Sequence, residues 1–146
     1  MSEAIESLLP HRKPFLFVDE IISADKEKIT GVHIFTEDEY FFAGHFPGYP
    51  VVPGVILIET MAQTGGAGLK KITALKEDSL FFLALVDKVK FRRQVRPGDR
   101  VRSEITNLRV SPSMVRQAGK AYVGEELAIE AEWMCIVSSN KQITGH

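Results

Sequence analysis

Between Phe41 and Gln63 the chain reads FFAGHFPGYPVVPGVILIETMAQ, which brings an imidazole, a helix start and an isolated carboxylate into one stretch. Imidazole is the side chain whose unperturbed pKa lies nearest neutrality, so His45 is the natural proton acceptor. It precedes a loop in which Pro47, Pro50 and Pro53 remove conformational freedom before folding. Pro53 suits the first position of a helix, and the amides of Gly54 and Val55 behind it are then orphan donors at the positive end of that helix. With no side chain on Gly54 to block approach, these two N–H groups suit a developing oxyanion; the plainer alternative is that water or a preceding side chain caps them.

Glu59 is the only charge in VILIETMAQTGGAGL and shares a helix face with Val55, Ala62 and Gly66. An ionised carboxylate buried without a partner is costly. Glu59 therefore either pairs, with Gln63 one turn away or with a backbone group, or keeps its proton and serves as a general acid. The three groups form a consistent set for dehydration: His45 takes the proton next to a carbonyl, the Gly54 amide holds enolate-like charge, and Glu59 protonates the departing β-hydroxyl. Fourteen residues separate His45 from Glu59, so either the loop folds back or the two meet across a subunit boundary. The other histidines are weaker candidates: His11 reads as a cap on a short helix, His33 alternates within a strand, and His146 is terminal. There is no CxxC, GxGxxG or HExxH, so no metal and no cofactor is expected.

The elements that must position these groups follow from the hydrophobic pattern. Ile5 to Leu9 makes a short helix ended by Pro10. FLFVDEIISA and KITGVHIFT read as a hairpin, and Val51 and Val52 as a brief strand pairing. SLFFLALVDKVKFRR, DRVRSEITNLRV, MVRQAGKAYVG and ELAIEAEWMCIVS read as four further strands separated by turn residues. Leu127, Ile129, Ala131, Trp133 and Cys135 alternate with a mostly polar set, the period of a sheet with one covered face. Roughly Gly54 to Leu75 forms one long helix, too apolar to lie on a surface. Its Gly65, Gly66 and Gly68 invite close approach of another backbone. A curled antiparallel sheet of five or six strands wrapped around this helix, an α+β fold in one domain over 1–146, accounts for both facts.

The chain has 146 residues, 45% apolar and 25% charged, with a net charge of -1, which suits one globular domain and neither a disordered chain nor a nucleic-acid binder. The acidic N-terminus MSEAIESLL and the interrupted apolar run VVPGVILIETMA predict neither a signal peptide nor a membrane span. Cys135, the one cysteine, reads as a small buried hydrophobe. Charge is uneven: residues 1–80 carry -5 and residues 81–146 carry +4. Lys88, Lys90 and Arg92 are expected on one strand face, where they repel one another unless an anion arrives; such a run is a solvated face or a dock for an acidic partner.

LLPHRKPFLFVDEI, GHFPGYPVVPGVILIETMAQTGG, KFRRQVRPGDRV and GKAYVGEELAIEAE closely resemble the bacterial (3R)-hydroxyacyl-(acyl-carrier-protein) dehydratases of type II fatty acid synthesis, over about Leu8 to Met134. The resemblance implies a hot-dog fold and a catalytic pair at His45 and Glu59, with Gly54 polarising a thioester carbonyl and no cofactor beyond the carrier's phosphopantetheine arm. Glutamate rather than aspartate at position 59 implies the branch that dehydrates without isomerising. It also implies homodimers with shared active sites, often assembled as trimers of dimers, a cytoplasmic setting, and an acidic acyl carrier protein as partner. Arg92, Arg93 and Arg96 are the candidates for docking that carrier. VSPSMVRQ and the V-G-E from Val123 depart from the family pattern in the late strands, which bears on substrate length. A hot-dog thioesterase and a non-catalytic carrier-binding module are the rival readings.

Overall fold

A computed structural model describes residues 4–139; His146 lies outside them. The order of elements is α1 (Ile5–Leu8), β1 (Glu20–Ala24), β2 (Lys28–Ile34), α2 (Gly54–Lys71), β3 (Ser79–Phe91), β4 (Arg100–Val110), β5 (Met114–Val123) and β6 (Glu126–Ser139). All six strands join one antiparallel sheet in the order β1-β2-β4-β5-β6-β3.

The expected curled sheet wrapped around the helix is corrected by this order. The sheet is open, with β1 and β3 as its two edges, and α2 lies against one face. Closure is ruled out by size, since about eight strands are needed merely to enclose side chains, and a helix is about 10 Å across. The remaining cover on α2 comes from α1 and the segment after it.

That segment explains why β1 is shorter than the pattern predicts. Phe17 donates its N–H to Gln63 Oε1 at 2.8 Å, and Phe15 accepts from Gln63 Nε2 at 3.1 Å, so a helix side chain supplies partners that a strand neighbour would supply. The helix ends at Lys71, four residues before the expected Leu75, where Thr73 turns to a positive φ of 58°. Gly65, Gly66 and Gly68 admit side chains rather than another backbone: Gln117, Phe81 and Ile29 occupy the space a Cβ would take. The alternation in β6 is realised from Ile129 through Ala131, Trp133 and Cys135, all buried, but not at its start, where a register shift opposite Ala121 and Tyr122 buries Ala128 and leaves Leu127 half-buried.

On β3 the period breaks. A register shift between Asp87 and Lys90, with φ of 52° at Lys88, inserts one extra residue. Lys88 pairs with Glu132 at 3.2 Å and Arg92 with Glu130 at 2.8 Å, so the anions that relieve this basic run come from β6 of the same chain.

His33 is buried between two carboxylates, with Nδ1 2.8 Å from Asp19 and Nε2 3.2 Å from Glu39. Burial opposes its charge, but the hydrogen bonds of Asp19 and Glu39 outweigh burial and raise its pKa to about 9. Because the folded pKa is raised, this stabilisation is complete below the unfolded value near 6.5 and is lost as pH rises through about 9. His33→Ala strands both carboxylates and is expected to cost about 2–3 kcal/mol at pH 6. Urea unfolding should show that cost shrinking at pH 10.

Candidate active site

The loop before α2 fixes His45 by short-range bonds. Its amide donates to Phe41 O at 3.0 Å, Val51 donates to His45 O at 2.8 Å, and Nδ1 lies 2.9 Å from Val51 O. A carbonyl can only accept, so Nδ1 carries a proton, and in the neutral ring the lone pair is on Nε2. Phe46 stacks on the imidazole with ring centroids 4.1 Å apart. Phe46 and Tyr49 exchange backbone bonds across a turn whose Gly48 has φ of 79°. Val51 and Val52 make single backbone bonds, to His45 and Val95, and form no strand.

Pro53 is the residue before the helix rather than its first member, and it has no side-chain acceptor to offer. Gly54 and Val55 are therefore the first two helical residues. Among the described residues neither amide donates a hydrogen bond, whereas the Ile56 amide reaches Pro53 O at 2.9 Å. A Cβ on Gly54 would lie 2.5 Å from the Phe91 ring. His45, Gly54, Val51, Phe91, Arg92 and Arg93 line one cleft of about 520 Å³.

Glu59 stands elsewhere in the same chain. It lines a notch of about 20 Å³ with His11, Ala62, Phe81, Leu83 and Cys135, space for one water-sized group. Burial raises its pKa, and the hydrogen bond from Gln63 Nε2 to Oε2, 2.9 Å, pulls partly the other way. The Gln63 amide cannot flip, because Phe17 N–H fixes its oxygen. Both readings of Glu59 are thus present together: it is bonded to Gln63, and it still holds its proton more tightly than an ordinary carboxyl. Cys135, with its thiol pushed up to about 12 by burial and by Glu59, stays protonated beside it.

The three arginines differ. Arg92 and Arg93 flank the cleft mouth, paired with Glu130 and, at 3.6 Å, with Glu126. Arg96 is turned inward: its Nε donates to Pro50 O at 3.1 Å and its guanidinium lies 4.0 Å from the Tyr49 ring centroid, bracing the histidine loop. Two site residues escape sequence reasoning in part. Gln63 is visible there only as a partner for Glu59, not as its tie to Phe15 and Phe17, and His11 lies 3.7 Å from Glu59 instead of capping α1.

The FabA-like domain family matches residues 9–132 of this chain. A 3-hydroxyacyl-(acyl-carrier-protein) dehydratase FabZ of Desulforamulus reducens is 48% identical over 132 residues, covering 90% of this chain and 92% of that protein. A bifunctional LpxC/FabZ enzyme of Porphyromonas gingivalis is 46% identical over 140 residues, 94% of this chain and 30% of that protein. Among solved structures, the dehydratase heterocomplex ApeI:P of Xenorhabdus doucetiae shares the fold at a TM-score of 0.83 and 15% identity, covering 99% of this chain and 97% of that one. An open hot-dog-like α+β fold with a histidine loop at the start of its one long helix thus defines the class, and the chain belongs to the FabA-like domain family. Within that family it is a FabZ-type hydro-lyase. No helix among the described residues is long and apolar enough to cross a membrane.

Proposed function

We propose that this chain, acting as one domain in the cytoplasm, eliminates water from (3R)-3-hydroxyacyl thioesters on acyl carrier protein to give trans-2-enoyl thioesters. His45 Nε2 removes the α proton, the Gly54 and Val55 amides hold the charge that grows on the thioester oxygen, and Glu59 protonates the leaving hydroxyl. Because Gln63 occupies Oε2 of Glu59, Oε1 is the oxygen free to deliver the proton. Arg92 and Arg93, at the mouth of the cleft, are placed to meet an acidic carrier; Arg96 serves the loop instead.

One observation carries this reading: the cleft and the notch lie at opposite ends of β3. Phe91 closes over Gly54 at one end, while Phe81 and Leu83 line the Glu59 notch at the other. β3 is a free edge, and Phe82, Leu83, Leu85 and Val86 on it are each at least 38% exposed. An unpaired thirteen-residue edge with such side chains calls for a strand partner. Two-fold antiparallel pairing of β3 with β3 of a second copy lays each Phe91 end beside the other Phe81 end. The His45–Gly54 cleft of one copy then faces the Glu59 of its partner, and two complete sites form per dimer.

Purified protein given a 3-hydroxyacyl carrier-protein thioester should develop the ultraviolet absorbance of a conjugated enoyl product without releasing thiol. Thiol release would replace this reading by the thioesterase. In the same assay Gly54→Ala is expected to lose about 100-fold in kcat, because its methyl displaces Phe91 and covers the open amides. Circular dichroism should show its fold intact.

A further inference from the structure

His11 has no task in this chemistry, yet it is placed beside the proton donor. It sits in the link between α1 and β1, lines the same notch as Glu59, and holds Nε2 3.7 Å from Glu59 Oε2. Its Nδ1 is buried and has no hydrogen-bond partner among the described residues. Buried N–H groups without an acceptor are rarer than unpaired lone pairs, so Nδ1 keeps the lone pair and Nε2 carries the hydrogen that faces the carboxyl. The neighbouring chain locks this arrangement, because Arg12 donates to the carbonyls of His11 and Leu9 at 2.7 Å each and to Glu6 O at 3.1 Å.

We infer that His11 is a positioning residue for the acid step, a neutral donor whose Nε2–H closes on Glu59 Oε2 as negative charge grows there. When the Oε1 proton passes to the leaving hydroxyl, the electrons it leaves spread over both carboxylate oxygens, and water leaves the substrate. Oε2 then has two donors, Gln63 Nε2 and His11 Nε2, both uncharged, so the one negative charge the notch gains is that of the Glu59 carboxylate itself. A separation that is slack in the resting enzyme and shortens as charge develops stabilises the transition state more than the ground state.

The charges around the notch fit a neutral imidazole. Burial, then Lys70 on α2, then Arg12 push the pKa of His11 below its ordinary value, while the Cys135 thiol from β6 stays protonated. Among the described residues the carboxyl of Glu59 is the one carboxyl lining the notch.

The inference rests on Glu59 acting as the acid, and its test reads Glu59 directly as well as through activity. The carboxyl carbon of Glu59, in protein labelled with ¹³C-glutamate and assigned with Glu59→Gln, is titrated by NMR in wild type, His11→Leu and His11→Gln. The amide of Gln places a donor close to where imidazole Nε2 lies; Leu places none. His11→Leu should move the titration up by about one pH unit, a tenfold gain in proton affinity. Its kcat plateau should fall roughly tenfold, with KM within about twofold and the basic limb of the kcat profile shifted to higher pH. His11→Gln should restore most of both. If His11→Leu does not fold, His11→Asn, whose amide stops short of Glu59, takes its place. An unmoved Glu59 titration, or equal losses in the Leu and Gln variants, overturns the inference. A wild type that titrates as described but forms no enoyl product overturns the dehydratase reading instead.

Discussion

Glu59→Gln is expected to lower kcat for dehydration by roughly 1,000-fold while raising the melting temperature at pH 8. The two changes have one cause. The wild-type carboxyl sits in a notch that opposes its ionisation, so its folded pKa lies above the unfolded value. For a carboxyl raised in this way, folding is relatively favoured when the group is protonated and loses stability as pH rises through the folded pKa. Glutamine has the same shape, still accepts from Gln63 through its carbonyl oxygen, and never ionises. Near pH 4 the wild-type carboxyl is mostly protonated folded or unfolded, so the two proteins should melt close together there and diverge as pH rises. Thermal unfolding at pH 4, 6 and 8, set beside kcat at pH 8, checks both halves. A variant that loses activity and also melts lower at pH 8 would mean that Glu59 is a structural hydrogen-bonding group rather than a held acid.

Much of this site can be read from residue types because its chemistry is local. A histidine in a proline-stiffened loop, a helix start without a side-chain cap and one carboxylate in an apolar helix each have a physical meaning before any fold is known. The tautomer of His45 is not among the things so legible, since it depends on Val51 O lying 2.9 Å away across a turn. Gln63 is legible as a neighbour of Glu59 at helical spacing, but its second task, satisfying the backbone of Phe15 and Phe17, arises from a contact more than forty residues distant in sequence. His11 is illegible for the same reason: only the return of the N-terminal segment over α2 brings it to Glu59.

The sheet shows a different limit. Strand periodicity reports which face is covered, and in β6 it does so from Ile129 to Cys135, but it carries no information on whether the two edges meet. An apolar helix calls for cover, and here the segment from α1 to Val18 supplies part of it, so the sheet need not enclose α2. The basic run shows the same limit: Lys88 and Arg92 pair with Glu132 and Glu130, partners about forty residues on that charge counting along one strand does not reveal.

Mixing two inactive variants, His45→Ala and Glu59→Gln, should restore activity if the site is shared between copies. In one chain His45 and Gly54 line the cleft at the Phe91 end of β3, and Glu59 lines the notch at the Phe81 end. Along α2 itself, Gly54 and Glu59 are about 140° apart around the helix axis, so they face different sides. A heterodimer of the two variants has one site with both defects and one site with neither. Equal amounts, unfolded together and refolded so that subunits exchange at random, give half heterodimers, and thus about one quarter of wild-type activity from parents with almost none. A site built within one chain contains a defect in every copy, and the mixture would then stay as inactive as its parents. Val86→Lys, at the middle of the exposed β3 edge, adds the complementary control. Like charges brought together across the two-fold should disfavour pairing, so this variant should sediment as a smaller species and lose dehydratase activity in proportion.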